Sequence, residues 1–177
     1  VRIWHWVMAL CMVVLAVTGY LIGTPMASVG GEASERFVFG YIRFAHFAAA
    51  YLFAVMFALR VVWAFMGNRF AREIFSVPLR LFSVTWWRGL IDQTRYYLFL
   101  AGKARPWQGH NPLAMAAMFF MYVLGTVFMI GTGFALYGEA QGMQSMTFKL
   151  VTSWVMPLLG YSQNVHTLHH LGMWYLL

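Results

Sequence analysis

Three long apolar stretches dominate this sequence, and each is long enough to cross a lipid bilayer. They cover residues 4–23, 37–66 and 112–137. A bilayer core needs about 20 mostly apolar residues, wound as a helix so that backbone hydrogen bonds stay within the segment. A fourth stretch, residues 165–177, is similar but rises only about 20 Å as a helix, so we expect a truncated span. The sequence predicts an all-α, integral membrane four-helix bundle that forms one domain over residues 1–177.

The composition agrees with a membrane protein. Of all residues, 62% are hydrophobic and 10% are charged, whereas about 25% of residues in soluble domains are charged. The net charge of +7 does not indicate a nucleic-acid partner, because the basic residues cluster in one connecting segment instead of on a solvated face. The single Cys11 excludes an internal disulfide and cysteine-based metal sites, and we interpret it as a small apolar helix residue.

The distribution of charge predicts the orientation in the membrane. The segment between the second and third predicted spans contains seven basic and two acidic residues, whereas the other two connections contain two basic and three acidic ones. Positively charged loops remain in the cytoplasm, so we expect this segment and the N-terminus there, with the other two connections on the opposite side of the membrane. The basic residues of the segment are Arg69, Arg72, Arg80, Arg88, Arg95, Lys103 and Arg105. The charged residues of the other two connections are Arg36, Lys149, Glu32, Glu35 and Glu139.

Part of this cytoplasmic segment has an amphipathic composition. Residues 79–100 mix tryptophan, phenylalanine and leucine with Arg80, Arg88, Asp92 and Arg95. The stretch is too charged to span and too aromatic to remain in water. It therefore predicts an amphipathic helix at the cytoplasmic membrane interface.

Histidines are the main functional candidates, because ionisable residues inside spans are costly and usually functional. The sequence has six histidines, and no carboxylate lies in the middle of a predicted span. The lack of a buried carboxylate disfavours a proton relay or an ion transporter. Histidines without carboxylates favour haem, whose iron can take two neutral imidazoles in a helical bundle.

Two of the predicted spans bring histidines to similar depths. His46 lies about 14 Å inside the second span, and His169 and His170 lie near the outer end of the fourth. One imidazole from each helix can clamp a haem in the outer half of the membrane, but spacing does not rank His169 against His170. Arg43, one turn outward of His46, is placed to meet a haem propionate or to reach the interface as an ordinary arginine.

Two further histidines lie at the cytoplasmic level. His5 begins the first span, so it either is an interfacial histidine or binds a second haem with another cytoplasmic-side ligand. His110 is the one other histidine of the sequence at that level. Glycines in the spans permit either close approach of a flat macrocycle or ordinary helix packing. They are Gly19, Gly23, Gly125, Gly131 and Gly133.

Four segments resemble a known family when they are taken in order. They are RIWHW at residues 2–6 with Thr18-Gly19, GYIRFAH at 40–46, GHNPLA at 109–114 and HTLHHLGMW at 166–174. Together they resemble the cytochrome b subunit of membrane-bound nickel–iron hydrogenases. Cytochrome subunits of respiratory formate dehydrogenase share the wider di-haem fold.

This resemblance implies a haem b protein that carries electrons in a respiratory chain without itself activating hydrogen. It implies an outer haem bound by His46 and His169, and an inner haem bound by His5 and a histidine two heptads beyond His169. Electrons are expected from an iron–sulfur small subunit, paired with the nickel–iron large subunit, and are expected to leave to quinone near the cytoplasm. His110 and Asn111 are candidates for the quinone site, with a helix cap as the alternative.

Other functions remain open from the sequence. A cytochrome subunit of another respiratory oxidoreductase, or a stand-alone cytochrome b or ferric reductase, keeps the paired histidines. A membrane anchor or transporter with structural histidines predicts no haem absorbance at all.

Overall fold

The computed structural model describes residues 2–25, 37–103 and 105–177, and the regular structure in this part of the chain is helical throughout. Three helices are long and apolar enough to cross a membrane: α1 (Arg2–Gly23), α2 (Val38–Met66) and α6 (Pro112–Gln141). The prediction of an all-α membrane fold is confirmed. Glu32, Glu35 and Arg36 of the first connection lie outside the described residues. The shorter helices are α3 (Arg69–Arg72), α4 (Val77–Arg80), α5 (Val84–Tyr97), α7 (Phe148–Leu159) and α8 (Tyr161–Leu176).

Helices α6 and α8 are longer than the apolar stretches that predicted them. α6 continues past residue 137 to Gln141, and α8 begins at Tyr161 instead of residue 165. The start of α8 is set by Gly160, whose φ of 88° ends α7 in the left-handed region that glycine adopts without strain. Polar residues near this junction hid the helix start from a hydropathy argument.

The described chain divides into two compact units, which we treat separately. The first unit contains Val1–Arg60 and Met129–Tyr175, together with Leu177. The second contains Val61–Phe128 and Leu176. The prediction of a single domain over residues 1–177 stays a prediction.

In the first unit, α1 and α2 pack antiparallel. Near the start of α1, the indole Nε1 of Trp4 donates to the Met56 carbonyl at 2.8 Å. Near its end, Thr18 meets His46 of α2 at 2.8 Å. Helix α2 also packs against α6 through aromatic side chains: Tyr51 makes edge-to-face contacts with Phe134 and with Tyr137.

Helices α6 and α8 close the arrangement. Ser162 at the start of α8 donates to the Glu139 carboxylate of α6 at 2.8 Å. Thr132, seven residues before Glu139 in α6, has its Oγ1 2.8 Å from Nδ1 of His169 in α8. Helix α8 also returns to α1, where Gly23 lies beside His170. The helices of the first unit therefore contact one another in the order α1, α2, α6, α8 and back to α1. This up-and-down order is that of a four-helix bundle, as predicted, and it places α2 and α8 on opposite sides of the ring.

In the second unit, α5 packs on the beginning of α6. Its core is formed by Val77, Trp86 and Met115. Helix α5 buries Trp86, Gly89 and Gln93, a stripe with helical spacing, and leaves most of its other residues exposed. The amphipathic helix predicted within residues 79–100 is therefore present, and its position at the cytoplasmic interface stays a prediction.

Candidate functional site

The imidazole of His46 is held by a threonine of the neighbouring helix. Its Nδ1 lies 2.8 Å from Thr18 Oγ1, and the Thr18 hydroxyl donates its proton to the Val14 carbonyl at 2.6 Å. Because a hydroxyl has one proton, the Thr18 oxygen must accept from Nδ1–H of His46. The Nε2 atom of His46 then carries the lone pair that a metal ion requires.

His169 has the same arrangement on the opposite side of the ring. Its Nδ1 lies 2.8 Å from Thr132 Oγ1 of α6. The Thr132 hydroxyl lies 3.3 Å from the Met129 carbonyl, to which it donates, so its oxygen again accepts from the imidazole. Both histidines thus use Nδ1 for the threonine contact, which leaves Nε2 as the atom that a metal ion would take.

A glycine beside each threonine makes room for each imidazole. A Cβ atom added to Gly19 would lie 3.3 Å from His46 Cε1, and one added to Gly133 would lie 3.2 Å from His169 Cε1. By contrast, a Cβ added to Gly131 would meet nothing within 4 Å. Thr18-Gly19 and Thr132-Gly133 therefore form two matching cradles. The sequence contains both Thr-Gly pairs, but nothing in their local pattern links them to the histidines.

The two cradled imidazoles belong to opposite helices of the first unit, α2 and α8. Their depths agree to within about one helical turn, because a Cβ on Gly19 would contact both His46 and Met173, and Met173 lies four residues, or about 6 Å, from His169 along α8. Two imidazoles on opposite helices at similar depth are what a haem iron with two axial histidines requires.

The remaining histidines of α8 have different surroundings. His170 packs against Gly23 of α1, with its Cε1 3.2 Å from a Cβ built there. Its Nε2 is buried and has no hydrogen-bond partner among the described residues. His166 is exposed. The threonine contact therefore favours His169 over His170, which spacing had left unranked.

The structure places His5 and Arg43 at exposed positions of the first unit. The ring of His5 contacts Trp6 edge-to-face at 5.5 Å between centroids. The guanidinium of Arg43 lies 5.4 Å from the centre of the Phe39 ring, a cation–π distance. The roles predicted for these residues, as an inner haem ligand and a propionate partner, stay predictions.

Asn111, in the second unit, is a helix cap. Its side-chain oxygen accepts a hydrogen bond from the Ala114 amide at 2.8 Å, and Pro112 occupies the first helical position. This is the alternative that the sequence offered to a quinone contact. The cap uses the side-chain oxygen, and the quinone contact predicted for Asn111 stays a prediction.

His110 forms a pair with Glu73 that sequence reasoning missed. One carboxylate oxygen of Glu73 lies 2.8 Å from His110 Nδ1 and accepts from the His110 backbone amide at 3.1 Å. Gly109, with a φ of 91°, makes this approach possible, since a Cβ there would collide with the carboxylate. Burial alone raises the pKa of Glu73, but the hydrogen bonds and charge of His110, together with Arg80, outweigh burial and lower it.

No group of three or more histidine, cysteine or acidic side chains among the described residues is placed to hold a metal ion alone. A haem does not need such a group, because its porphyrin supplies the equatorial nitrogens and the protein supplies the axial ones. The cradled pair His46 and His169 therefore fits a haem better than a free metal ion.

The helices and the paired imidazoles define a membrane protein of the cytochrome b class. The model of the prokaryotic cytochrome b561 family matches residues 1–177, and the chain belongs to this family, whose cofactor is haem b.

Similar proteins confirm the resemblance to the cytochrome b subunit of nickel–iron hydrogenases. The chain is 54% identical to the "probable Ni/Fe-hydrogenase B-type cytochrome subunit" of Cupriavidus necator, over 99% of this chain and 71% of that protein. It is 54% identical to the subunit of the same name from Azotobacter vinelandii, over 99% of this chain and 72% of that protein. For the "probable Ni/Fe-hydrogenase 1 B-type cytochrome subunit" of Escherichia coli K12, identity is 50% over 98% of this chain and 73% of that protein.

Proposed function

We propose that this chain is the haem b electron-transfer and membrane-anchor subunit of a respiratory uptake hydrogenase. The observation that carries the proposal is the matched pair of threonine-held imidazoles, His46 and His169, on opposite helices of one bundle. The names of the relatives support a hydrogenase as the partner, over the formate dehydrogenase and stand-alone alternatives.

His46 and His169 are the proposed axial ligands of the outer haem. When bound, the haem supplies reversible one-electron chemistry between its ferric and ferrous states. Through Thr18 and Thr132 the protein holds both rings in fixed orientations, with Nδ1 as the donor and Nε2 toward the haem iron. Arg43 is the proposed partner of a propionate, and His5 the proposed ligand of an inner haem.

The proposed path runs from one side of the membrane to the other. Electrons enter from the iron–sulfur clusters of a periplasmic small subunit, which itself binds the nickel–iron large subunit, and leave to quinone near the cytoplasmic side. Positive charge between α2 and α6 supports a cytoplasmic N-terminus in the bacterial inner membrane. His110 and Asn111 remain the candidate quinone contacts, and the bond of His110 to Glu73 adds a proton-binding group beside them.

Hydrogen-driven reduction of the haem tests the proposal. Membranes that contain the assembled complex are exposed to hydrogen, and the haem b absorbance bands are followed before and after dithionite is added. We expect hydrogen to reduce the haem of the wild-type protein and of a His166→Ala control, and to find no outer haem in His46→Ala. A haem that dithionite reduces but hydrogen does not would identify a cytochrome b with a different electron donor. Normal haem content in His46→Ala would remove the ligand assignment itself.

A further inference from the structure

The second unit contains a basic cavity beside the Glu73–His110 pair. Its volume is about 440 Å³, within the roughly 300–1,000 Å³ typical of ligand pockets. Arg69, Arg80 and Arg105 line it, and Glu73 is the one carboxylate among its lining residues. Because that carboxylate is already bonded to His110, the cavity presents a net positive charge to a ligand.

The arginines of this cavity retain free hydrogen-bonding capacity. Arg80 Nε donates to the Ser76 hydroxyl at 2.9 Å, and Arg69 Nη2 donates to the Gln108 side chain at 3.1 Å. Both partners are neutral, and a guanidinium has five N–H donors in a planar fork. The remaining donors suit an anion with several oxygens, such as a phosphate group.

A buried indole points independently to a ligand. Trp86 lines the cavity and is 5% exposed, and its Nε1 has no hydrogen-bond partner within the described part of the chain. A buried N–H without an acceptor is costly and uncommon in folded proteins. An acceptor on a bound ligand would satisfy it, and phosphate oxygens act as acceptors.

The surroundings of the cavity indicate a lipid as the source of the phosphate. Pro112 and Met115, at the beginning of the long apolar helix α6, line the cavity. Apolar side chains flank the lining residues Arg80 and Ser83: Leu79 is 79% exposed and Phe82 is 90% exposed. A free phosphate ion makes no favourable contact with exposed apolar side chains, whereas the acyl chains of a lipid can cover them.

We propose that this cavity binds the phosphate of an anionic phospholipid. The arginines and the indole of Trp86 donate hydrogen bonds to the phosphate oxygens, and Leu79 and Phe82 lie beside the acyl chains. Basic pockets at the cytoplasmic surface of membrane proteins take anionic head groups for the same electrostatic reason.

Lipid retention by the full protein tests this proposal. The protein is reconstituted in phosphatidylcholine nanodiscs that contain a minor fraction of phosphatidylglycerol, and retained lipid is measured by native mass spectrometry. We compare Arg80→Gln and Trp86→Phe with Arg88→Gln, which removes an exposed arginine of α5 outside the cavity. Haem absorbance per polypeptide checks that each variant folds.

We expect wild type and Arg88→Gln to retain phosphatidylglycerol in preference to phosphatidylcholine. Arg80→Gln should bind it roughly tenfold more weakly, the loss typical of one hydrogen bond to a charged group, and Trp86→Phe should weaken binding in the same direction. An equal loss in Arg88→Gln would show only general attraction to an anionic membrane and would overturn the proposal. So would complete displacement of the lipid by millimolar inorganic phosphate, or variants that lose bound quinone while they keep phosphatidylglycerol.

Discussion

The two units of this chain hold histidines at the same distance but through different partners. In the first unit, Nδ1 of His46 and of His169 each lies 2.8 Å from a threonine hydroxyl. In the second unit, Nδ1 of His110 lies 2.8 Å from the carboxylate of Glu73. Each threonine oxygen accepts from the ring alone and leaves Nε2 as the possible ligand atom, whereas the Glu73 carboxylate contacts both the ring and the backbone amide of His110. The first arrangement therefore orients an imidazole within the bundle, whereas the second ties a loop to the Glu73 carboxylate.

Glycine contributes to both arrangements, but for different reasons. Gly19 and Gly133 leave space for an imidazole against a regular helix. Gly109 is needed for its positive φ as well as for space, because the chain must turn so that its next amide meets the Glu73 carboxylate. The first role concerns packing in a bundle, and the second concerns the geometry of a loop.

The largest effect expected in this comparison is loss of haem from the first unit. Replacing His169 with alanine removes a proposed axial ligand, so we expect the outer haem to be lost. His170→Ala is the matched control, because it removes the next imidazole, whose Nε2 has no hydrogen-bond partner among the described residues. Haem per polypeptide, measured as the pyridine haemochrome, checks both variants. Haem loss in His170→Ala with retention in His169→Ala would reverse our choice of ligand.

A smaller effect is expected when the threonine partners are removed. Thr18→Val or Thr132→Val keeps the shape of the side chain but removes the acceptor for Nδ1–H. Outer-shell partners of this kind typically change metal affinity by about 10–100-fold, so we expect haem affinity to fall, and the reduction potential to rise as the imidazole becomes a weaker donor. Haem titration and potentiometry measure the two quantities.

The same helix supplies a control for the threonine variants. Thr126 is a fully buried threonine of α6, and its hydroxyl has no hydrogen-bond partner among the described residues. Thr126→Val should leave both haem affinity and potential unchanged. A shift as large as that of Thr132→Val would show that the effect arises from general repacking of the bundle instead of from the imidazole.

Substitutions of the glycines are expected to change haem binding less than the threonine variants do. In Gly133→Ala the new Cβ would lie 3.2 Å from His169 Cε1, so the ring must move by a few tenths of an ångström. We expect a shifted haem spectrum and weaker haem binding. In Gly131→Ala the new Cβ meets nothing within 4 Å, and the gain in helix propensity, up to about 1 kcal/mol, should stabilise the protein. Identical spectra for the two variants would contradict the cradle at Gly133.

The sequence was sufficient for the features that depend on local pattern. Apolar length predicted α1, α2 and α6, and the position of His46 within a span marked it as a candidate ligand. The resemblance selected His169, which spacing alone did not. The matched threonine contact now supports that choice from the structure.

Features that depend on contacts between distant residues were not predictable in this way. Glu73 and His110 are 37 residues apart, and no periodicity links them. A threonine in a helix ordinarily bonds to its own backbone, so Thr18 gave no sign that its oxygen also meets His46. The π-helical turn at Met118–Leu124 also changes the helical register of α6, so positions beyond it cannot be counted at 3.6 residues per turn.

The smallest effect is expected in the second unit, where Glu73→Gln removes the charge that pairs with His110. The pKa of Glu73 is lowered in the folded protein, so its carboxylate stabilises the fold above the unfolded pKa of about 4.3. This stabilisation is lost as the pH falls through the lower, folded pKa. His110 is 43% exposed, so solvent screening limits the loss at pH 7 to about 1 kcal/mol. Thermal unfolding in detergent should show a wild-type advantage at pH 7 that shrinks below about pH 4. The exposed Asp92→Asn is the control, and a wild-type advantage independent of pH would mean that Glu73 acts through packing alone.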